Sequence, residues 1–146
     1  MTDAQKCADL AFLALTVWRE ARGESSVAKL AVAYSILDRV THPTWWGRDV
    51  QSVVFKRWQY SSLTAPNDPQ LVTWPLDSSD LAWIDCLLQA TAALANTSPN
   101  PAPMADSYFD ESIAPPAWAQ PKMFVRQIGR LKFYNLNRDH EAEAMK

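Results

Sequence analysis

The chain has 146 residues, 48% of them hydrophobic and 21% charged, with ten prolines, three glycines, seven tryptophans and a net charge of −2. At 16.4 kDa it can hide roughly two thirds of its unfolded surface without disulfides or a structural metal, which excludes disordered, collagen-like and disulfide-scaffold classes. Its balanced charge offers no nucleic-acid surface, and its longest apolar run, Leu10 to Trp18, is about half of the roughly 18 residues that cross a bilayer.

Ala4, Cys7, Ala11, Ala14 and Trp18 recur at alternating spacings of three and four, with Leu10, Leu13 and Val17 on the neighbouring stripe. Thr2 or Asp3 is a natural N-cap, and the pattern predicts a long, mostly buried first helix ending near Gly23. Ser25 or Ser26 caps a second helix, whose apolar face is Val27, Leu30, Ala31, Tyr34, Leu37 and Val40 and which Pro43 closes. From Thr41 to Ser79, Pro43, Pro66, Pro69 and Pro75 interrupt any period, so a long loop is expected, with one short helix near Val50 to Lys56. Ser78 or Ser79 caps a third helix with Leu81, Ile84, Asp85, Leu88, Ala92 and Ala95 on one face, ended by the run from Asn96 to Pro101. Short runs at Ser107 to Phe109 and Met123 to Tyr134, split by Pro115, Pro116 and Pro121, predict a small β element of two or three strands. The tail 137–146 is polar, and one domain spans 1–146.

The N-terminus lacks the charged, apolar and small-residue pattern of a secretory signal, so Cys7 and Cys86 are expected as reduced core residues. His42, His140, Cys7 and Cys86 share no metal-ligand spacing, and glycines at 23, 47 and 129 make no phosphate loop, so neither a metal nor a cofactor is expected. The densest chemical segment is Trp18-Arg19-Glu20-Ala21-Arg22-Gly23-Glu24-Ser25, with two acids four apart at the end of an apolar helix. The negative end of the helix dipole and burial beside Trp18 both oppose ionisation of Glu20, which suits a general acid. Arg19 and Arg22 pull the other way, and a solvated helix end with Glu20 and Glu24 paired to arginines fits the spacing too.

The blocks Glu20-Ala-Arg-Gly-Glu24-Ser, Ala31 to Val40, Asp49 to Val54, Gln59-Tyr-Ser61, Tyr108-Phe109 with Pro116-Ala-Trp118, and Ile128 to Tyr134 together resemble the SleB-like cell-wall hydrolase family over about residues 14–134. The resemblance implies an α+β, mainly helical, lysozyme- or lytic-transglycosylase-like single domain with a small β element. It implies cleavage of peptidoglycan between N-acetylmuramic acid and N-acetylglucosamine, with Glu20 as catalytic acid and base. It favours 1,6-anhydro products, while the residues alone leave hydrolysis open. Glu24 is a possible second acid or a structural residue at the second helix's start. Tyr60, Ser61, Tyr108, Phe109 and Trp118 are expected to bind substrate; Trp45, Trp46, Trp58 and Trp74 fit either further aromatic platforms or ordinary core and rim packing, whereas Trp18 and Trp83 are expected in the core. Two positions depart from the family pattern: Asp38 stands where Asn is usual and Leu131 where His is usual; if that His binds or orients substrate, Leu131 implies a shifted subsite or weaker activity. The setting expected is a monomeric phage or prophage endolysin. Such a protein stays in the host cytoplasm until a holin releases it to the periplasm and wall. A hydrolytic muramidase or glucosaminidase, or a catalytically weak peptidoglycan-binding module, is the alternative.

Overall fold

A computed structural model describes residues 2–42, 46–56 and 59–136. Helix α1, Asp3–Ala21, opens on a reciprocal cap in which the Gln5 amide donates to the Thr2 hydroxyl and the Thr2 amide to the Gln5 side chain. Burial begins only near Leu13; Cys7 and Ala11 are exposed, against the expectation of a mostly buried helix with a core thiol. Periodicity shows which face of a helix is apolar, not how far along it the neighbouring elements reach.

Helix α2, Ser26–Thr41, takes Ser25 as its N-cap, and its helical turns bury Ala28 to Ala33 and Ile36. Val27, expected on the packed face, is half exposed because it lies in the first turn, before the partner helices close over the axis. The short α3, Val50–Val54, is capped by Asp49 and Ser52 in both directions. Gly47 precedes it with φ +135°, and a Cβ there would stand 2.7 Å from the Ser52 hydroxyl. The long proline-interrupted stretch also carries two elements not expected, α4 at Ser61–Thr64 and a 3₁₀ turn at Pro69–Val72. A single turn is too short to display a period.

Helix α5, Leu81–Ala95, is capped by Asp80 rather than by Ser78 or Ser79, and Asn96 ends it at φ 54°. Its buried face is Cys86, Ala90 and Ala93; Leu81, Ile84, Leu88 and Ala95, expected inward, are exposed. The helix is apolar nearly all round, so hydrophobicity could not select a face. Small side chains win because they let α1 and α2 approach closely. The partner is fixed by Asp85, which accepts from Lys29 at 2.9 Å, Ser26 at 2.9 Å and Gln89 at 3.0 Å. Both cysteines are free, and burial pushes the Cys86 thiol up to about 11. Trp18 is a core residue as expected, and Trp83 is half-buried against the core.

The β element has three antiparallel strands, β1 Ser107–Asp110, β2 Phe124–Ile128 and β3 Leu131–Tyr134, in the order β1-β3-β2. Gly129, at φ +57°, lets Ile128 and Leu131 pair across a two-residue turn. Phe133 is fully buried against the helices. On the opposite side of β3, Tyr134 carries rings from Phe109, Trp118 and Phe124. The result is a mainly helical α+β fold in which the end of α1 faces β1.

Candidate active site

Glu20 lies in the last turn of α1, where the helix reaches β1. The Tyr108 hydroxyl donates to Glu20 Oε1 at 3.3 Å. Tyr108 reaches it because β1 alternates: Ser107 and Phe109 are buried on one side, Tyr108 and Asp110 turn to the other. Burial raises the Glu20 pKa above its ordinary value. The Tyr108 and Ser62 hydroxyls pull against that rise, Asp68 adds to it, and Arg39 opposes it. The Ser62 hydroxyl is buried and satisfies hydrogen-bond geometry with no described residue, so its influence on Glu20 is that of a nearby dipole.

Neither neighbouring arginine pairs with this carboxyl. Arg19 turns to the backbone carbonyls of Ser62, Leu71 and Thr73, and Arg22 to Gln70 and the Trp18 carbonyl. The alternative of a solvated helix end neutralised by arginines therefore fails for Glu20.

A cleft of about 390 Å³ opens beside Glu20, walled by Tyr60, Tyr108, Trp118 and Trp46. Arg39, Gln59 and Ser107 form its polar floor. Arg39 is buried and fully deployed: Nε donates to the Asp106 carbonyl at 2.6 Å, and its two terminal nitrogens donate to Gln59 at 3.2 Å and to the Ser107 hydroxyl at 3.3 Å. Its plane also lies over the rings of Trp46 and Tyr60, at 4.2 and 5.1 Å. Beneath it, Asp106 is wholly buried, accepting from the Leu136 amide and the Ser107 hydroxyl, and burial raises its pKa. Burial pushes the Tyr60 phenol up to about 12 and Tyr108 well above its ordinary value, so both remain hydrogen-bond donors across the biological pH range. The Tyr60 hydroxyl is buried with no hydrogen-bond partner among the described residues.

Of the residues singled out from sequence, Glu20, Trp46, Tyr60, Tyr108 and Trp118 come together here. Ser61 is exposed at the start of α4, and the buried hydroxyl beside Glu20 belongs to the next residue, Ser62. Phe109 points to the other side of β1, where it packs on Trp118 and Tyr134 and so supports the cleft wall without forming it. Glu24 lies against the β2–β3 turn: its Oε2 would be 3.2 Å from a Cβ on Gly129. The cap of α2 is Ser25, not Glu24. Trp74 is exposed and outside the cleft, and Trp45, Trp58, His140 and the tail 137–146 lie outside the described residues. Sequence reasoning missed Arg39, Gln59, Ser107 and Asp106. Its place in the block Ala31 to Val40, one turn after Ser35 and Ile36 on α2, is the signal that could have marked Arg39.

Residues 23–134 match the family described as Cell Wall Hydrolase. The chain belongs to that family. It is 30% identical over 127 residues to a spore cortex-lytic enzyme of Halalkalibacterium halodurans, an alignment covering 87% of this chain and 34% of the relative, so the chain spans about a third of that protein. The fold is shared with the catalytic domain of the germination-specific lytic transglycosylase SleB of Bacillus anthracis, with TM-score 0.71 and 23% identity over 92% of this chain and all of the other. It is shared equally with the catalytic domain of Bacillus cereus SleB, with TM-score 0.70 and 23% identity over 92% and 95% of the two chains. Glu20 stands three residues before the matched family span, so its place in the site rests on the geometry above. Of the two positions expected to depart from the family pattern, Asp38 contacts His42 across one helical turn at 3.5 Å. Leu131 is buried in the core opposite Ile128 and Asp110 and does not line the cleft.

Proposed function

We propose that this cell wall hydrolase cleaves the glycan strand of peptidoglycan between N-acetylmuramic acid and N-acetylglucosamine, with Glu20 as acid and then base. The observation that carries this is a carboxyl held toward its protonated form by burial, at the wall of an aromatic cleft, with a phenol in hydrogen-bond contact. Protonated Glu20 gives its proton to the glycosidic oxygen. The bond from that oxygen to the muramic acid C1 breaks, and N-acetylglucosamine departs with a free hydroxyl as positive charge develops on the muramic acid ring. Tyr60 and Tyr108 supply donors, and Trp118 and Trp46 apolar faces for the sugars.

Among the described residues lining the cleft, Glu20 is the only carboxylate. A second one, about 5 Å or 6.5–9.5 Å away, is what an ordinary glycosidase uses as nucleophile or base. With one carboxylate, Glu20 takes the proton of the muramic acid C6 hydroxyl, whose oxygen bonds to C1 and closes a 1,6-anhydro ring. The reading is therefore a lytic transglycosylase. The name of the Bacillus anthracis SleB structure, a lytic transglycosylase, supports it. Digestion of purified sacculi in ¹⁸O-labelled water tests it: anhydro ends without label are expected, and stoichiometric label on the new muramic acid ends would mean a hydrolase.

The endolysin setting belongs to the same proposal and is supported by the family resemblance. A holin then gives access to the wall, and the chain acts there as a monomer. Expression in a Gram-negative host with and without a holin checks it, lysis being expected only with the holin.

A further inference from the structure

We propose that Trp74 is an outlying sugar-binding platform for the same glycan strand, held beside the cleft by Arg19. This rests on the glycan-cleaving reading above. Trp74 is 60% exposed, flanked by Val72 and Leu76 at 81% and 91%. Leaving three large apolar side chains in water within five residues is costly and marks a contact surface.

The ring is not loose. The Arg19 guanidinium lies 4.5 Å from its centroid and caps one face, while Nε of the same group donates to the carbonyl of Thr73, the residue before the ring. The other two nitrogens donate to Leu71 and Ser62 carbonyls at 3.4 and 3.1 Å, and Arg22 donates to Gln70 at 2.9 Å. Four hydrogen bonds, three from Arg19 in the last turn of α1 and one from Arg22 just past it, thus fix the 62–74 segment. A fixed indole with one face against a cation and the rest open to water is the form a pyranose stacks on, since its ordering entropy is already spent. The exposed Val72 and Leu76 suit the methyl of an N-acetyl group.

Its position relates it to the reacting centre. Arg19 immediately precedes Glu20. The Ser62 whose carbonyl Arg19 holds is the residue whose hydroxyl lies beside the Glu20 carboxyl. Asp68, in the same segment, acts electrostatically on both Arg19 and Glu20. In this proposal the strand bound at Glu20 continues along the 62–74 segment, which ends at Trp74. Because the ring lies outside the cleft, it adds affinity for the strand without touching the bond that breaks.

The test uses the full chain carrying Glu20→Gln. Sedimentation with purified sacculi should show affinity weakened about tenfold by adding Trp74→Ala, the scale of one stacked ring, and largely restored by Trp74→Tyr. Titration with chitotetraose should shift the Trp74 indole N–H signal in the NMR spectrum, assigned by its loss in Trp74→Ala. Unchanged sacculus affinity in a Trp74→Ala protein with the parental Tm overturns the proposal. So does an indole signal that stays still during titration, a result that needs no folded variant. The titration involves no turnover, so failure of the glycosidase reading is separate: it appears as muropeptide release by Glu20→Gln.

Discussion

The Tyr108 hydroxyl and the Glu20 carboxyl meet at 3.3 Å although 88 residues separate them, and that contact joins the helical body to the sheet at the cleft. It also sets the acid. Burial raises the Glu20 pKa while the phenol, by donating to the carboxylate, partly lowers it again. Tyr108→Phe should therefore raise the Glu20 pKa further and move the alkaline limb of the kcat/KM profile to higher pH. A downward shift, or none, would show that the phenol does not act on the carboxyl.

Glu20 carries a stability cost that its function requires. Its folded-state pKa is above the unfolded value near 4.5. The folded protein accordingly binds the proton more tightly. The associated stability is complete below the unfolded pKa and is lost as pH rises through the folded pKa. Glu20→Gln should thus have a higher Tm than the parent at neutral pH, and the difference should shrink as pH falls toward 4.5. Thermal melts across that range check it, and a lower Tm for the variant at pH 7 would contradict the buried-acid account.

Arg39 holds the Asp106 carbonyl, Gln59 and Ser107 together while lying over Trp46 and Tyr60. A lysine keeps the charge but cannot reproduce three divergent donors on one plane. Arg39→Lys should cost about 1–3 kcal/mol and lower the Tm by roughly 3–10 °C, with reduced activity from a loosened cleft floor. A melt and activity equal to the parent would show that the planar fork is dispensable.

Glu24 shares the most distinctive sequence block with Glu20 but faces the Gly129 turn instead of the cleft. Glu24→Gln should keep activity within about threefold of the parent, as for substitutions away from a reacting centre. Loss comparable to that of Glu20→Gln, at unchanged Tm, would require a two-carboxylate mechanism.

How far the sequence could be read varies with the kind of signal. Thr2 and Ser25 announce caps through local chemistry, and the helical periods of α1 and α2 follow, whereas the turn at Gly129 inside the run Met123 to Tyr134 was seen only in the structure. The buried face of α5 was not legible, because Leu81, Ile84 and Leu88 are more hydrophobic than Ala90 and Ala93, and only close helix approach favours the smaller residues. Glu20, Tyr60, Tyr108 and Trp118 were legible through spaced blocks. Arg39 and Gln59 lie in those blocks but their roles, like those of Ser107 and Asp106, were not legible, since their importance is in long-range hydrogen bonds spanning 20 to 68 residues. Ser61 and Ser62 show the finest limit: a block locates a turn, and only three-dimensional placement tells which of two adjacent hydroxyls faces the acid.

The central claim is that Glu20 performs the proton transfers of glycan cleavage. Its most direct test is mass spectrometry of muropeptides released from purified sacculi by the parent and by Glu20→Gln at equal concentration of folded protein. The account predicts products with 1,6-anhydro ends from the parent and a loss of about 10² to 10⁴-fold in the variant, whose amide is nearly isosteric but cannot give up a proton. Release by Glu20→Gln at the parental rate would contradict it.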